Sequence, residues 1–337
     1  MPSLFDPYEL KNLKLKNRIT LSPMCQYMAT NKEGIPENWH MIHLVSRAIG
    51  GTGLILTEMT NVEPRGRITE HCLGIYNEEQ VEAFKRINEE IHKYDAKSGL
   101  QLAHAGRKSV IEGGDIVAPS SISFSDKSPL PRELKTEEIE RIVELFAEGA
   151  KRTVEAGFDT IELHGAHGYL IHQFLSPASN QRTDKYGEHV RFAKEVIQAV
   201  KAEIPSGMPL IMRISAVEYN GKGYTFDDML EYCKTFIEAG VDMFDVSTGG
   251  DSVNRPDVYP GYQTSYAKAV REKLQVPVMS VGRLEVPEVA EMVIKEGHAD
   301  MVSIGRGMLR DPYWAKEAAE KLGYSLELPG EYNLGYM

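Results

Sequence analysis

Short apolar, β-prone runs recur along the chain at 19–24, 53–60, 100–105, 160–164, 209–215, 243–247, 277–281 and 301–305. They read as near-continuous apolar stretches, the pattern of strands buried on both faces in a parallel sheet. Between them lie amphipathic segments. In 78–94, Val81, Phe84, Ile87 and Ile91 return at helical spacing. The segment 136–156 has Thr136 and Glu138 near its start and stops before Gly157, which predicts a helix with capping chemistry at both ends. The segments 226–239, 287–296 and 312–322 are followed by Gly240, Gly297 and Gly323 and repeat the scheme. Eight strand-then-helix units predict an α/β protein, a single (β/α)8 TIM barrel, rather than an open doubly wound sheet. Residues 1–18 fall outside the repeat and predict a short hairpin closing the barrel bottom. Residues 108–134, rich in Gly, Ser and Pro, predict a long functional loop after the third strand. No linker or low-complexity tract interrupts the pattern, so 1–337 reads as one domain.

Composition narrows the partners. The formal charge of -11 over 337 residues argues against nucleic acid and against an anionic membrane surface. No apolar run approaches the roughly 18 residues of a membrane span. The opening MPSLFDPYEL lacks the basic and apolar regions of a secretion signal. Three widely spaced cysteines, Cys25, Cys72 and Cys233, suggest neither a disulfide framework nor a zinc knuckle. The expectation is a cytoplasmic protein.

A barrel gathers the C-terminal ends of its strands, where active sites sit. The first predicted strand ends Ser22-Pro23-Met24-Cys25-Gln26-Tyr27, the second Thr57-Glu58-Met59-Thr60, and the third runs from Gln101 to Lys108. The fourth runs into His164 and His167, with Tyr169 just beyond. The sixth, seventh and eighth end in glycines, at Gly249-Gly250, Gly282-Arg283 and Gly305-Arg306-Gly307. Glycines there let backbone N–H groups approach a phosphate that Arg306 can complete, although any tight βα turn also wants glycine. Arg213 lies inside an apolar strand, where an unpaired charge is costly, so it faces either an anionic ligand or a structural ion pair. His164 and His167 read as donors to a substrate oxygen, as metal ligands together with His172, or as satisfied structural histidines. No Asp or Glu of matching spacing supports the metal. Tyr169 is a proton source or a packing residue, and Cys25 a core thiol or a neighbour that tunes a cofactor. Neither a G-x-G-x-x-G after a strand nor a P-loop is present.

The strings LKNRITLSPMCQY, GLILTE with RGRIT, SGLQLAHAGRK, IELHGAHGYLIHQFLSPASNQRTDKYG and SIGRGMLRDP run in order from residue 13 to about 314. In these the chain resembles the old yellow enzyme family, NADH:flavin oxidoreductases, and in particular its short, thermophilic-like bacterial branch. The resemblance implies non-covalent FMN, NAD(P)H as hydride donor, and an activated alkene (enone, maleimide or nitroalkene) as substrate. By matching position, Ser22, Pro23, Met24, Cys25, Met59, Gln101, Arg213, Gly282, Gly305 and Arg306 would bind FMN. Gln101 would meet the pyrimidine side, Arg213 the region that becomes negative on reduction, and Gly282, Gly305 and Arg306 the phosphate. His164 and His167 would hold the substrate oxygen, Tyr27 would shape the pocket, and Tyr169 would donate the proton. A homo-oligomer, dimer or tetramer, is implied as well.

Three positions depart from the family pattern. Met59 stands where a small residue is usual, which predicts a tighter pocket. The loop after Gly187 is shorter. Leu334 stands where the branch has an arginine that reaches into a neighbouring subunit's site. Outside the resemblance, a metal-dependent barrel hydrolase or lyase and an FMN-binding sensor are the competing functions.

Overall fold

The structure is a computed structural model that describes residues 1–335. The chain opens with β1 (Tyr8–Leu10) and β2 (Leu13–Leu15), an antiparallel pair. The barrel strands follow as β3 (Ile19–Leu21), β4 (Leu54–Asn61) and β5 (Lys97–Ala103). A two-residue pair, β6 (Val117–Ala118) and β7 (Arg132–Glu133), lies in the long loop after β5. The barrel continues with β8 (Thr160–Gly165), β9 (Leu210–Ser215), β10 (Met243–Ser247), β11 (Val278–Val281) and β12 (Met301–Ile304). Its eight strands are all parallel and close in sequence order, β12 pairing back onto β3. The predicted TIM barrel is therefore the observed one.

The helices are α1 (Asn38–Ile49), α2 (Glu78–His92), α3 (Thr136–Glu155), α4 (Leu170–Leu175), α5 (Arg191–Glu203), α6 (Phe226–Ala239), α7 (Thr264–Leu274), α8 (Pro287–Lys295), α9 (Arg306–Arg310) and α10 (Trp314–Leu322). The start of α3 corrects one detail of the sequence reading. Glu138 turns back to the Lys135 N–H at 2.9 Å, whereas the Thr136 hydroxyl leaves the helix for Asp184 at 3.1 Å. The first strand also stops earlier than its apolar run. Ser22 still donates to Ile304, but Pro23 has no N–H to extend the ladder.

The barrel interior changes character along its axis. At the bottom Leu54, Leu56, Ile211, Met243, Met279 and Met301 form an apolar layer, and Leu13 and Leu15 of the hairpin close it. Toward the top the inward positions become polar. Gln101 pairs in register with Glu162, and His164, Arg213 and Asp245 line up across β8, β9 and β10. All five are buried. Burying that much charge in one layer is costly unless it is paired, which marks the top as the working end. Among the described residues no helix is long and apolar enough to cross a membrane. The three cysteines are unpaired.

Candidate active site at the mouth of the barrel

His164 lies next to the last residue of β8, and His167 and Tyr169 follow on the turn into α4. The rings gather closely: His164 lies 5.2 Å from His167 and 4.7 Å from Tyr169 between centroids, both edge-on. The His164 Nδ1 accepts the Ala166 N–H at 3.3 Å, so a neutral ring carries its proton on Nε2. His167 adopts φ 59, a left-handed conformation uncommon for a residue with a Cβ. Contacts from the ends of β9 and β10 and from the loop after β5 hold it there. Its N–H donates to Ser215 Oγ at 3.0 Å, its carbonyl accepts from Lys108 Nζ at 2.9 Å, and its Nε2 stands 2.7 Å from Ser247 Oγ. Gly250 makes the close approach possible, because a Cβ there would lie 2.4 Å from the His167 Cα.

Burial, followed by the charge of Arg213, holds both imidazoles well below their ordinary range, so both are neutral. Burial pushes the Tyr169 phenol well above its usual range, with Cys25 adding to the effect, so it keeps its proton. Lys108 sits 5.0 Å over the Tyr169 ring, and burial lowers its ammonium to about 8.

The loop after β3 faces this group. Burial, then the charge of Glu58, raises the Cys25 thiol, which is hydrogen-bonded to the Tyr27 side chain, so Cys25 is a thiol and not a thiolate. Tyr27 is half-exposed at φ 54. Glu58 braces the loop from below by accepting the Gln26 N–H at 3.0 Å, and burial raises its carboxyl to about 8. Met59 is buried beside Ala103 and Ala105, with Cys25, Ile68 and Tyr169 packed against them. Its bulk thus lies in the wall next to Tyr169.

In the polar layer just below the histidines Gln101 donates its amide to Glu162 Oε1 at 2.7 Å. The Gln101 oxygen receives no donor among the described residues. Arg213 reaches Ser22 Oγ at 3.4 Å through Nη1 and lies 3.4 Å from Asp245 through Nε, so the ion-pair reading holds in part. Gly305 opens onto Ser22 and Met24, with Met24 Sδ 3.4 Å from where a Cβ would stand. Gly282 has φ 125, and a Cβ there would press on the Gln263 amide at 2.9 Å. Arg306 is exposed and, among the described residues, pairs with no carboxylate. An unfilled amide acceptor, a buried guanidinium and an unpaired arginine beside an open glycine suit a planar ligand with an imide edge and a phosphate. FMN has both.

His172 does not join the other two histidines. Its Nδ1 accepts the Gly168 N–H at 2.9 Å, and its Nε2 faces Glu218 at 3.2 Å and Tyr224 Oη at 2.8 Å. His172, Glu218 and Asp251 have the spacing of metal ligands, yet Arg107 already gives that cluster a cation, 2.8 Å from Asp251. The sequence reading did not single out Arg107, Ser215, Ser247, Gln263 or Glu218. Their signal was their position, at strand ends or in the loops that follow.

A parallel barrel whose mouth carries neutral donors and a cradle for a flavin defines a flavin-dependent oxidoreductase. The comparisons agree: the model of the NADH:flavin oxidoreductase / NADH oxidase family matches residues 3–324, and the chain belongs to that family, the old yellow enzymes. Its cofactor is FMN, reduced by a nicotinamide. The chain is 48% identical to an NADPH dehydrogenase of Listeria innocua and 46% identical to one of Geobacillus thermodenitrificans, covering 99% of itself in both and 99% and 98% of those proteins. Among solved structures, morphinone reductase in complex with tetrahydroNAD superposes with TM-score 0.81 at 26% identity, over 98% of this chain and 93% of that one. A 2-naphthoyl-CoA reductase complex gives TM-score 0.89 at 25% identity, over 95% of this chain but 52% of the other.

Proposed function

We propose that the protein is an NADPH-dependent ene-reductase acting on activated alkenes such as enones, maleimides and nitroalkenes, with His164 and His167 holding the substrate oxygen and Tyr169 supplying the proton. The observation that carries this reading is the close gathering of the three rings with His164 Nε2 unpartnered among the described residues. The names of the relatives favour NADPH over NADH.

When bound, FMN supplies the hydride, accepting it from the nicotinamide and passing it to the β-carbon of the alkene. Ser22, Pro23, Met24, Cys25, Met59, Gln101 and Arg213 would hold its ring system, and Gly282, Gly305 and Arg306 its phosphate. Hydride addition builds negative charge on the substrate oxygen. His164 presents Nε2–H to it. His167 presents Nδ1–H once the Ser247 hydroxyl, which otherwise donates to Gln263 Oε1 at 3.2 Å, turns to Nε2 and leaves that oxygen to the Thr248 hydroxyl at 2.7 Å. Neutral donors suit this task, since they stabilise the charge without binding resting anions tightly. Losing one such donor typically costs about 3 kcal/mol in the transition state. Tyr169 then protonates the α-carbon, and Tyr27 borders the pocket. The nicotinamide uses the same pocket in turn, and the barrel acts as one domain within a homo-oligomer.

The test is a screen of cyclic enones, maleimides and nitroalkenes with NADPH, comparing wild type with Tyr169→Phe. Saturated products from wild type, with slower flavin reoxidation in the variant, are expected. No saturated product from any class would refute the reading.

A further inference from the structure

Below the histidines, the barrel holds two carboxyl groups that the proposed chemistry does not use. Glu162 on β8 and Asp245 on β10 are fully buried, and they flank Arg213 on the strand between them. The two side chains lie within hydrogen-bonding reach of each other. Gln101 donates to Glu162 Oε1, and Arg213 Nε approaches Asp245 Oδ2. Among the described residues, Glu162 Oε2 and both Asp245 oxygens receive no hydrogen bond.

Two ionised carboxylates in that position would set acceptor against acceptor and leave one negative charge surplus to the single cation. A buried interior does not tolerate either condition. One proton resolves both, because it turns the contact into a hydrogen bond and balances the charge against Arg213. Burial, then the neighbouring Asp245, raises the Glu162 carboxyl above its ordinary range, in the direction this requires.

We propose that Glu162 and Asp245 hold one proton between them, so that they and Arg213 form a cluster of zero net charge, and that this neutrality sets the reduction potential of the bound flavin. The second half rests on the FMN reading above; the first does not. A reduced flavin carries extra negative charge, so an uncompensated Arg213 would favour reduction. Either carboxyl alone can balance the arginine. Glu162→Gln should make Asp245 give up the shared proton, and Asp245→Asn should make Glu162 do so, the cluster staying neutral in both. Only Glu162→Gln with Asp245→Asn strands the positive charge.

Two measurements test this. Infrared difference spectra, wild type minus each single variant, are recorded on protein stripped of flavin, in H2O and D2O. Each should show the loss of one protonated carboxyl band, with other buried acids cancelling. The midpoint potential of flavin-loaded protein is then taken by spectroelectrochemistry. The double variant should rise by at least tenfold in the reduction equilibrium, about 30 mV for a two-electron couple, while both single variants stay within that margin. Absence of the carboxyl band, or a double variant at the wild-type potential, would overturn the proposal. If the double variant does not fold, the band lost in the two single-variant difference spectra still decides the shared proton. Wild-type protein that retains no FMN would instead refute the functional reading, leaving the infrared result to stand alone.

Discussion

The ammonium of Lys108 donates to the carbonyl oxygen of His167 at 2.9 Å and to that of Gly250 at 3.1 Å. The loop after β5 thus pins the strained residue that ends the His-x-x-His string. Replacing Lys108 with Met removes both bonds, and hydrogen bonds to a charged group are worth roughly 1.5–3 kcal/mol each. We expect Lys108→Met to weaken binding of a phenolic ligand by about tenfold or more while FMN content is unchanged. A spectral titration with a simple phenol checks this, and wild-type affinity would show that the His167 backbone does not need the clamp.

The neutrality of the histidines gives a pH signature of its own. His164 and His167 are held well below the ordinary imidazole range, so protonation does not intervene near pH ~6.5, where a free histidine titrates. Phenol affinity should be flat through that region. Stability should not be. Burial also lowers His40 to about 4 and His43 to about 3. Below pH ~6.5 the unfolded chain binds protons at these four histidines that the folded chain refuses. They outnumber the protons that buried Glu58 and Glu162 hold only when folded, so stability falls as pH drops toward 4. Thermal melts across this range, run beside the titration, should show a declining Tm with a constant Kd. A Kd that follows an imidazole titration would contradict the assignment.

Arg306 lacks a carboxylate partner among the described residues and stands next to Gly305 at the start of α9. Charge-assisted hydrogen bonds to a phosphate are among the stronger single contacts. Arg306→Ala should lose FMN during extended dialysis, by roughly tenfold in affinity, without a change in Tm of the stripped protein. Flavin-to-protein absorbance ratios give the answer, and full retention would move the phosphate elsewhere.

At the C-terminal end Leu334 is 84% exposed, and the Tyr332 hydroxyl lies 3.4 Å from that of Tyr313. Leucine cannot donate to a substrate oxygen. Leu334→Ala should therefore alter substrate preference by less than about threefold, the small effect typical of an exposed apolar side chain. Truncation after Gly330 that abolished turnover, with FMN and oligomer size intact, would show that the tail completes the site.

Much of this was legible in the sequence, for definable reasons. Buried parallel strands leave continuous apolar runs, so all eight barrel strands could be located, and a charge interrupting such a run, as Arg213 does, announces a special position. The histidines and Tyr169 showed because imidazoles and a phenol at a strand end have few packing roles. The partners of His167 were harder to see. Ser215 and Ser247 are ordinary residues for a strand end, and only the closed barrel brings them and Lys108 onto one backbone. The shared environment of Glu162 and Asp245 was equally hidden, because it depends on register across β8, β9 and β10. Met59 lies in the wall beside Tyr169, a direction the sequence could not give.

In the proposed reaction the barrel passes hydride from NADPH through FMN to an alkene whose oxygen is held by His164 and His167. Anaerobic stopped-flow of the FMN-loaded protein tests it most directly. NADPH should bleach the flavin, and a cyclic enone should then restore its colour. In His164→Ala with His167→Ala, FMN should remain bound and that recolouring should slow by at least about a hundredfold, in line with the loss of oxyanion donors. Recolouring at the wild-type rate in the double variant would show that the histidines do not hold the substrate oxygen. Bleaching by NADPH that no activated alkene reverses in the wild type would show that the protein is not an ene-reductase.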